Sequence, residues 1–209
     1  MPLALWLPLL VACVVISITP GAGAINTMSN SMMHGWRRSL WGIIGQQLAL
    51  VVHIVIVAAG VGLVVAQSPL LFGVIRYAGA AYLVYLGVRL ILVRTDAVAR
   101  DDEPLDAGQE SAWSIARRGF WVNLLNPKAI VFFLAFMPQF IRLDQPQLPQ
   151  YAVFLVTCIG VDVVVMWGFF AAAARPFRRA TRTPRGRKVL NSTFGSLFIA
   201  VAALLVFVH

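Results

Sequence analysis

Six apolar runs, each near the length of a membrane-crossing helix, constrain this chain more than any other feature. They lie at about 3–23, 40–66, 69–93, 119–141, 149–174 and 189–208. A helix rises about 1.5 Å per residue and needs roughly 20 apolar residues to cross hydrocarbon. Of the 209 residues, 60% are hydrophobic and only 12% charged, with a mean hydropathy of +0.82. A soluble domain carries about 25% charged residues. The short alternating segments of a membrane β-barrel are absent. The expected fold is an all-α integral membrane protein with six transmembrane helices in a single domain, 1–209.

The basic residues orient these spans. Arg37 and Arg38 follow the first run, and Arg89, Arg94, Arg100, Arg117 and Arg118 flank the segment between the third and fourth. Arg175, Arg178, Arg179, Arg182, Arg185, Arg187 and Lys188 lie between the fifth and sixth. These are fourteen of the 17 cations, and only Arg76 and Arg142 fall on the other side. Cytoplasmic loops carry such an excess. The expected location is the bacterial inner membrane, multi-pass, with both termini periplasmic. The formal charge of +9 thus marks topology and attraction to anionic lipid, not a nucleic-acid partner. The small residues Gly21–Ala24 imitate a signal cleavage site, but no Lys or Arg precedes them, so the first run is expected to stay. Cys13 and Cys158 both fall inside runs, without a CxxC or a His-Cys cluster, and are assigned neither a disulfide nor a metal.

A polar segment, 94–118, divides the chain into halves of about 3–93 and 119–208. Three spans per half force the halves into opposite orientations, the arithmetic of an inverted-topology repeat. Each half has a proline interruption in its first span, "SITPGAGAIN" at 17–26 and "LLNPKAIV" at 124–131. Asn126 can cap a helix, and Pro127 suits the first helical position after it. Pro20 and Gly21 can break the first span likewise, with Gly21 relieving strain. Helix starts carry free N–H groups and a partial positive charge, so two facing starts could cradle a carboxylate. Simple kinks, repaired by neighbouring helices, are the alternative.

Asp162 is the one acid inside a run and Lys128 the one cation well within one. Ionisable groups in hydrocarbon are costly and mark substrate or proton paths. An ion pair between them that only locks two helices is the other reading. His53 shares a helical face with Gln46 and Leu50; it can be a hydrogen-bonding anchor or part of a proton relay. Asn26 with Asn30, and Asn123 with Asn126, form polar pairs beside the two breaks, either at a site or as interhelical glue. Ser192, Ser196 and Ala200 make a small-residue packing stripe, and Tyr82 and Tyr85 read as interface or bundle residues. There is no HExxH, GxSxG or Walker loop, so no catalytic group, cofactor or metal is expected. On residues alone, the chain is a six-span protein of transporter type with an anion-friendly centre. An exporter of another solute (leucine, lysine or a cation) and a membrane-embedded enzyme remain alternatives.

The stretches "SITPGAGAINTMSNSMMHG", "GAAYLVYLG", "FWVNLLNPKAIVFFLAFMPQFI", "PQLPQYAVFLVTCIGVDVVVMWG" and "FGSLF" resemble the lysine-exporter superfamily of bacterial amino-acid efflux proteins. "GAINTM" and "VDVVVM" are similar to its homoserine/homoserine lactone efflux branch. The chain has Pro20-Gly21-Ala22 where much of the superfamily has Pro-Gly-Pro. The resemblance implies export of homoserine, its lactone and threonine by proton antiport. It implies roles for Pro20, Gly21, Asn126, Pro127, Lys128 and Asp162. The expected substrate-binding set is Pro20, Gly21, Asn26, Gln46, Asn123, Asn126, Pro127 and Lys128, with Asp162 and His53 coupling protons. The expected partners are a small amino-acid substrate, protons and lipid; a homo-oligomer stays open.

Overall fold

The computed structural model describes residues 1–67, 69–92, 110–142, 144–181 and 183–207. Most of the linker expected at 94–118 lies outside them. All regular structure among the described residues is helical. In order these are α1 (Leu3–Ile18), α2 (Ala22–His34), α3 (Ser39–Gln67), α4 (Pro69–Leu92), α5 (Ala112–Leu124), α6 (Pro127–Phe140) and α7 (Gln147–Val163). A π-helical segment, Val164–Ala171, continues α7, and α8 (Ala174–Thr181) and α9 (Pro184–Phe207) follow.

Both expected breaks are present and both sharply bend the chain. The α1–α2 pair turns by 55° and the α5–α6 pair by 58°. Ser39–Gly60 and Gln147–Ala171 are long and apolar enough to cross a membrane alone. With each bent pair counted as one span, length and apolarity give up to four crossings among the described residues, two fewer than the six runs suggest. α4 and α9 are 24 residues each, about 36 Å at a helical rise.

Helices extend beyond the apolar runs in three places. The first broken element runs on to His34, well past residue 23. The second begins at Ala112, so residues 112–118 are helix and not linker. Ser111 caps it, accepting from the Ser114 N–H at 3.2 Å. Part of the basic loop after the fifth run is also helical, as α8.

Small residues let two helix pairs meet backbone to backbone. α3 packs against α5, where a Cβ on Gly45 would strike the Ala116 carbonyl and one on Gly119 the Gly42 carbonyl. α4 packs against α9, where a Cβ on Gly87 would lie 2.6 Å from the Gly195 carbonyl. In lipid such close approach drives association through dispersion contacts. The expected stripe Ser192–Ser196–Ala200 is not this contact. Ser196 and Ala200 are exposed, and Gly195, Phe198, Val201 and Ala202 face inward. The main core is a column of rings from α6, Phe132, Phe136 and Phe140, one turn apart and stacked at 4.8 and 6.4 Å, with Phe133 and Phe154 against it.

α1 and α7 run parallel, meeting in successive rungs at Cys13–Cys158 and Ser17–Asp162. At one end of the bundle, Asn30 and His34 meet Arg118 and Glu110, and Ser31 donates to the Ala171 carbonyl. At the same end Trp36 stacks on Trp167, with centroids 4.4 Å apart. Arg76 donates to the Val206 carbonyl, tying the start of α4 to the end of α9.

Candidate functional site

The two breaks meet, and each is closed by a side chain from another element. α1 ends at Ile18, and the Lys128 Nζ of α6 donates to the carbonyls of Ile16 at 3.0 Å and Thr19 at 2.7 Å. A cation at a helix C-terminus answers both its free carbonyls and its negative dipole end. α5 ends at Leu124, and His53 Nε2 of α3 donates to the Leu124 carbonyl at 3.1 Å. The expected start of α6 is present: Asn126 caps it by accepting from the Lys128 N–H at 3.1 Å, and Pro127 holds the first helical position. α2 differs, because Gly21 supplies no side-chain cap. Its first N–H groups have no partner within the helix. Gly21 has φ −148°, an extended conformation open to any residue. Its role is space, since a Cβ there would sit 3.3 Å from Lys128 Nζ.

A small cavity of about 60 Å³, partly open to the surroundings, lies where the breaks meet. Of the residues expected at a site, Gln46, Asn123, Asn126, Lys128 and Asp162 line it. Gly23 and Ala24, in the uncapped first turn of α2, line it too. Pro20, Gly21 and Pro127 instead line a second recess, beyond Lys128, which borders both. His53 and Asn26 are not in the cavity wall.

Asp162 is the carboxylate of this cavity. Its Oδ1 accepts from Ser17 Oγ of α1 at 3.0 Å and its Oδ2 from Gln47 Nε2 of α3 at 2.6 Å. Lys128 is not its ion-pair partner, because the ammonium is held by the α1 carbonyls. A π-helical stretch begins two residues after Asp162, and such irregularities are frequent at functional sites. Behind the wall, Gln46 Nε2 donates to the Gly23 carbonyl at 3.2 Å and to Thr27 Oγ1 at 3.0 Å. Asn123 Nδ2 donates to the Gln46 carbonyl at 2.9 Å. These amides tie α2, α3 and α5 around the breaks. The Nδ2 of Asn26 and Nδ1 of His53 are buried without a partner.

A carboxylate thus faces a cavity between two broken helices. A family model for the LysE type translocator matches residues 14–208. The chain belongs to the LysE type translocators. Among relatives, it is 42% identical over 200 residues to the "Homoserine/homoserine lactone efflux protein" of Salmonella typhimurium, covering 96% of this chain and 95% of that one. It is 40% identical to an "Uncharacterized membrane protein" of Vibrio cholerae, with 98% of each chain covered. A "Leucine efflux protein" of Klebsiella pneumoniae is more distant, at 30% over 96% of this chain and 93% of that one. No solved structure matches the chain.

The translocator has a second polar cluster that its sequence did not single out. Glu110, just before α5, receives Arg118 Nη1 on both oxygens at 3.0 Å, Ser114 Oγ at 2.8 Å and His34 Nε2 at 3.0 Å. Burial pushes its carboxyl up, but Ser114, Arg118 and His34 together outweigh this and hold it below the ordinary glutamate range. Arg118 Nη2 continues to Asn30 Oδ1 at 2.6 Å, and Arg38 donates to the Glu110 carbonyl at 2.6 Å. Ser17, Gln47 and His34 were missed because each is an ordinary polar residue whose partner lies more than 70 positions away.

Proposed function

We propose that this translocator exports homoserine and homoserine lactone from the cytoplasm, in exchange for protons. Asp162, held between Ser17 and Gln47 in the cavity wall, carries the reading. One carboxylate can hold either the substrate's ammonium or a proton, and the two exclude each other. In this cycle, ammonium binds Asp162 from the cytoplasmic side and leaves to the outside. A proton takes its place there and is released inside. Competition for one charge is sufficient for antiport.

The carboxylate of homoserine is received by the free N–H groups at the start of α2, beside Gly23 and Ala24, with the remaining hydrogen of Lys128. Hydrogen bonds to charged groups are worth roughly 1.5–3 kcal/mol. The lactone has no carboxylate and uses only the Asp162 end. Pro20, Gly21, Asn126 and Pro127 shape the breaks; Gln46 and Asn123 hold α2 and α5 around them, with Asn26 buried on α2 beside the first break. His53, with its free Nδ1, is the second candidate for moving protons. The cargo follows the 42% relative rather than the 30% leucine exporter.

The architecture proposed is six crossings in two inverted halves, in the inner membrane with periplasmic termini. The near-equal bends of 55° and 58° at corresponding places support the repeat. Contacts that gather residues 30–38, 110–118 and 167–171 at one end support a common side for the basic segments. Counterflow of labelled homoserine in proteoliposomes, with and without a pH gradient, tests the function. Uptake that a gradient accelerates is expected. Uptake of leucine or lysine but not homoserine would reassign the cargo, and conversion of the lactone to a product would point to an enzyme.

A further inference from the structure

The chain contains two cysteines, 145 residues apart, and the fold places them against each other. Cys13 Sγ of α1 lies 3.2 Å from Cys158 Sγ of α7. Both are buried and both line the central cavity. They form the rung one helical turn before Ser17–Asp162, so the thiols and the carboxylate lie along one α1–α7 seam. A disulfide has its sulfurs about 2.05 Å apart, so closing this pair asks for a shift of roughly 1 Å. Buried cysteines in a core usually pack as isolated small hydrophobes. Two that meet across separate helices, in the wall of a ligand cavity, can do more.

We propose that Cys13 and Cys158 are a site of reversible oxidation, at which hydrogen peroxide closes a disulfide that pins α1 to α7 and stops transport. The sulfur of one cysteine attacks the peroxide; an S–O bond forms, the O–O bond breaks and water leaves, giving a sulfenic acid. The second sulfur then attacks the first. The S–S bond forms, the S–O bond breaks, and the hydroxyl departs as water with the second thiol's proton. Two thiols are oxidised and one peroxide is reduced, with two waters released. A dithiol reductant reverses the step by thiol–disulfide exchange. The block follows because α1 and α7 belong to opposite halves of the chain and both border Asp162. A covalent tie one turn away fixes the spacing that substrate entry and release must change. That consequence rests on the export reading; formation of the disulfide does not.

The test treats purified protein in proteoliposomes with hydrogen peroxide, then denatures and alkylates it. Intact mass should show a monomer lighter by two hydrogens with no alkyl groups, and two alkyl groups after dithiothreitol. Labelled homoserine counterflow should fall to background on oxidation and return on reduction. Cys13→Ala and Cys158→Ala should each keep its own untreated rate in peroxide. Two alkylated thiols after peroxide would overturn the proposal, as would a disulfide that leaves counterflow unchanged. Equal inhibition of both single variants would also overturn it, placing the damage at another residue. A reduced protein that moves no amino acid contradicts the export reading alone, and the alkylation count then decides the oxidation site by itself.

Discussion

Gln47 Nε2 on α3 donates to Asp162 Oδ2 on α7 at 2.6 Å. With Ser17 on the other oxygen, the carboxylate joins three elements around the cavity. Gln47→Leu removes this charge-assisted bond and frees the carboxylate to turn. Losing about 1.5–3 kcal/mol corresponds to roughly 10- to 100-fold. We expect such a loss in kcat/KM, equal for homoserine and its lactone, because in the proposed cycle both would present an ammonium to Asp162. Initial-rate transport with both substrates measures it, and a loss confined to one cargo would contradict the shared site.

Lys128 should separate the two cargoes. Its ammonium caps α1 through the Ile16 and Thr19 carbonyls, so Lys128→Ala lowers stability for any substrate. Only homoserine has a carboxylate to lose. Its transport should fall more than about tenfold further than that of the lactone. Equal losses would make Lys128 a cap and nothing else.

The α3–α5 seam should not tolerate a methyl group. The Cβ of Gly45→Ala would strike the Ala116 carbonyl, a backbone atom that cannot swing aside. Overpacking of this kind costs about 1–3 kcal/mol. At Gly60 a Cβ meets nothing within 4 Å, and Ala is the better helix former by up to about 1 kcal/mol. Thermal unfolding in detergent should rank Gly60→Ala at or above the wild type and Gly45→Ala well below it.

Glu110 predicts an acid limit. Its carboxyl is held below the ordinary value of 4.5 by Ser114, Arg118 and His34 acting against burial. A depressed carboxyl contributes stability above its unfolded value and loses it as pH falls through the folded one. Melting temperature should therefore drop on acidification below about pH 4.5. Glu110→Gln should be less stable at pH 7 and should show less of this drop.

How much of this was legible beforehand depends on the range of each interaction. Asn126 and Pro127 announce a helix start through contacts one or two residues away, and they form it. The Pro20 break was readable for the same reason. Helix ends were not, because Ser114 and Arg118 look like loop composition until Glu110 and Asn30 satisfy them in the fold. The small-residue stripe on α9 was displaced by one position, because Gly195 meets Gly87 on a helix about 100 residues earlier. Asp162 stood out by its charge alone, whereas Ser17, Gln47 and the Cys13–Cys158 rung needed the fold. Lys128 stands out in the sequence as a cation inside an apolar run, but its partners are carbonyls, which a sequence cannot display.

The central claim is that Asp162 carries the proton that exchanges for substrate. Asp162→Asn keeps the shape and its hydrogen-bonding amide but cannot titrate. The decisive measurement is homoserine accumulation driven by a pH gradient in proteoliposomes, beside counterflow in the same vesicles without a gradient. The account predicts that the Asn variant retains counterflow and loses gradient-driven accumulation, while Asp162→Glu keeps part of it. Normal gradient-driven accumulation in the Asn variant would contradict the account and pass the proton role to His53.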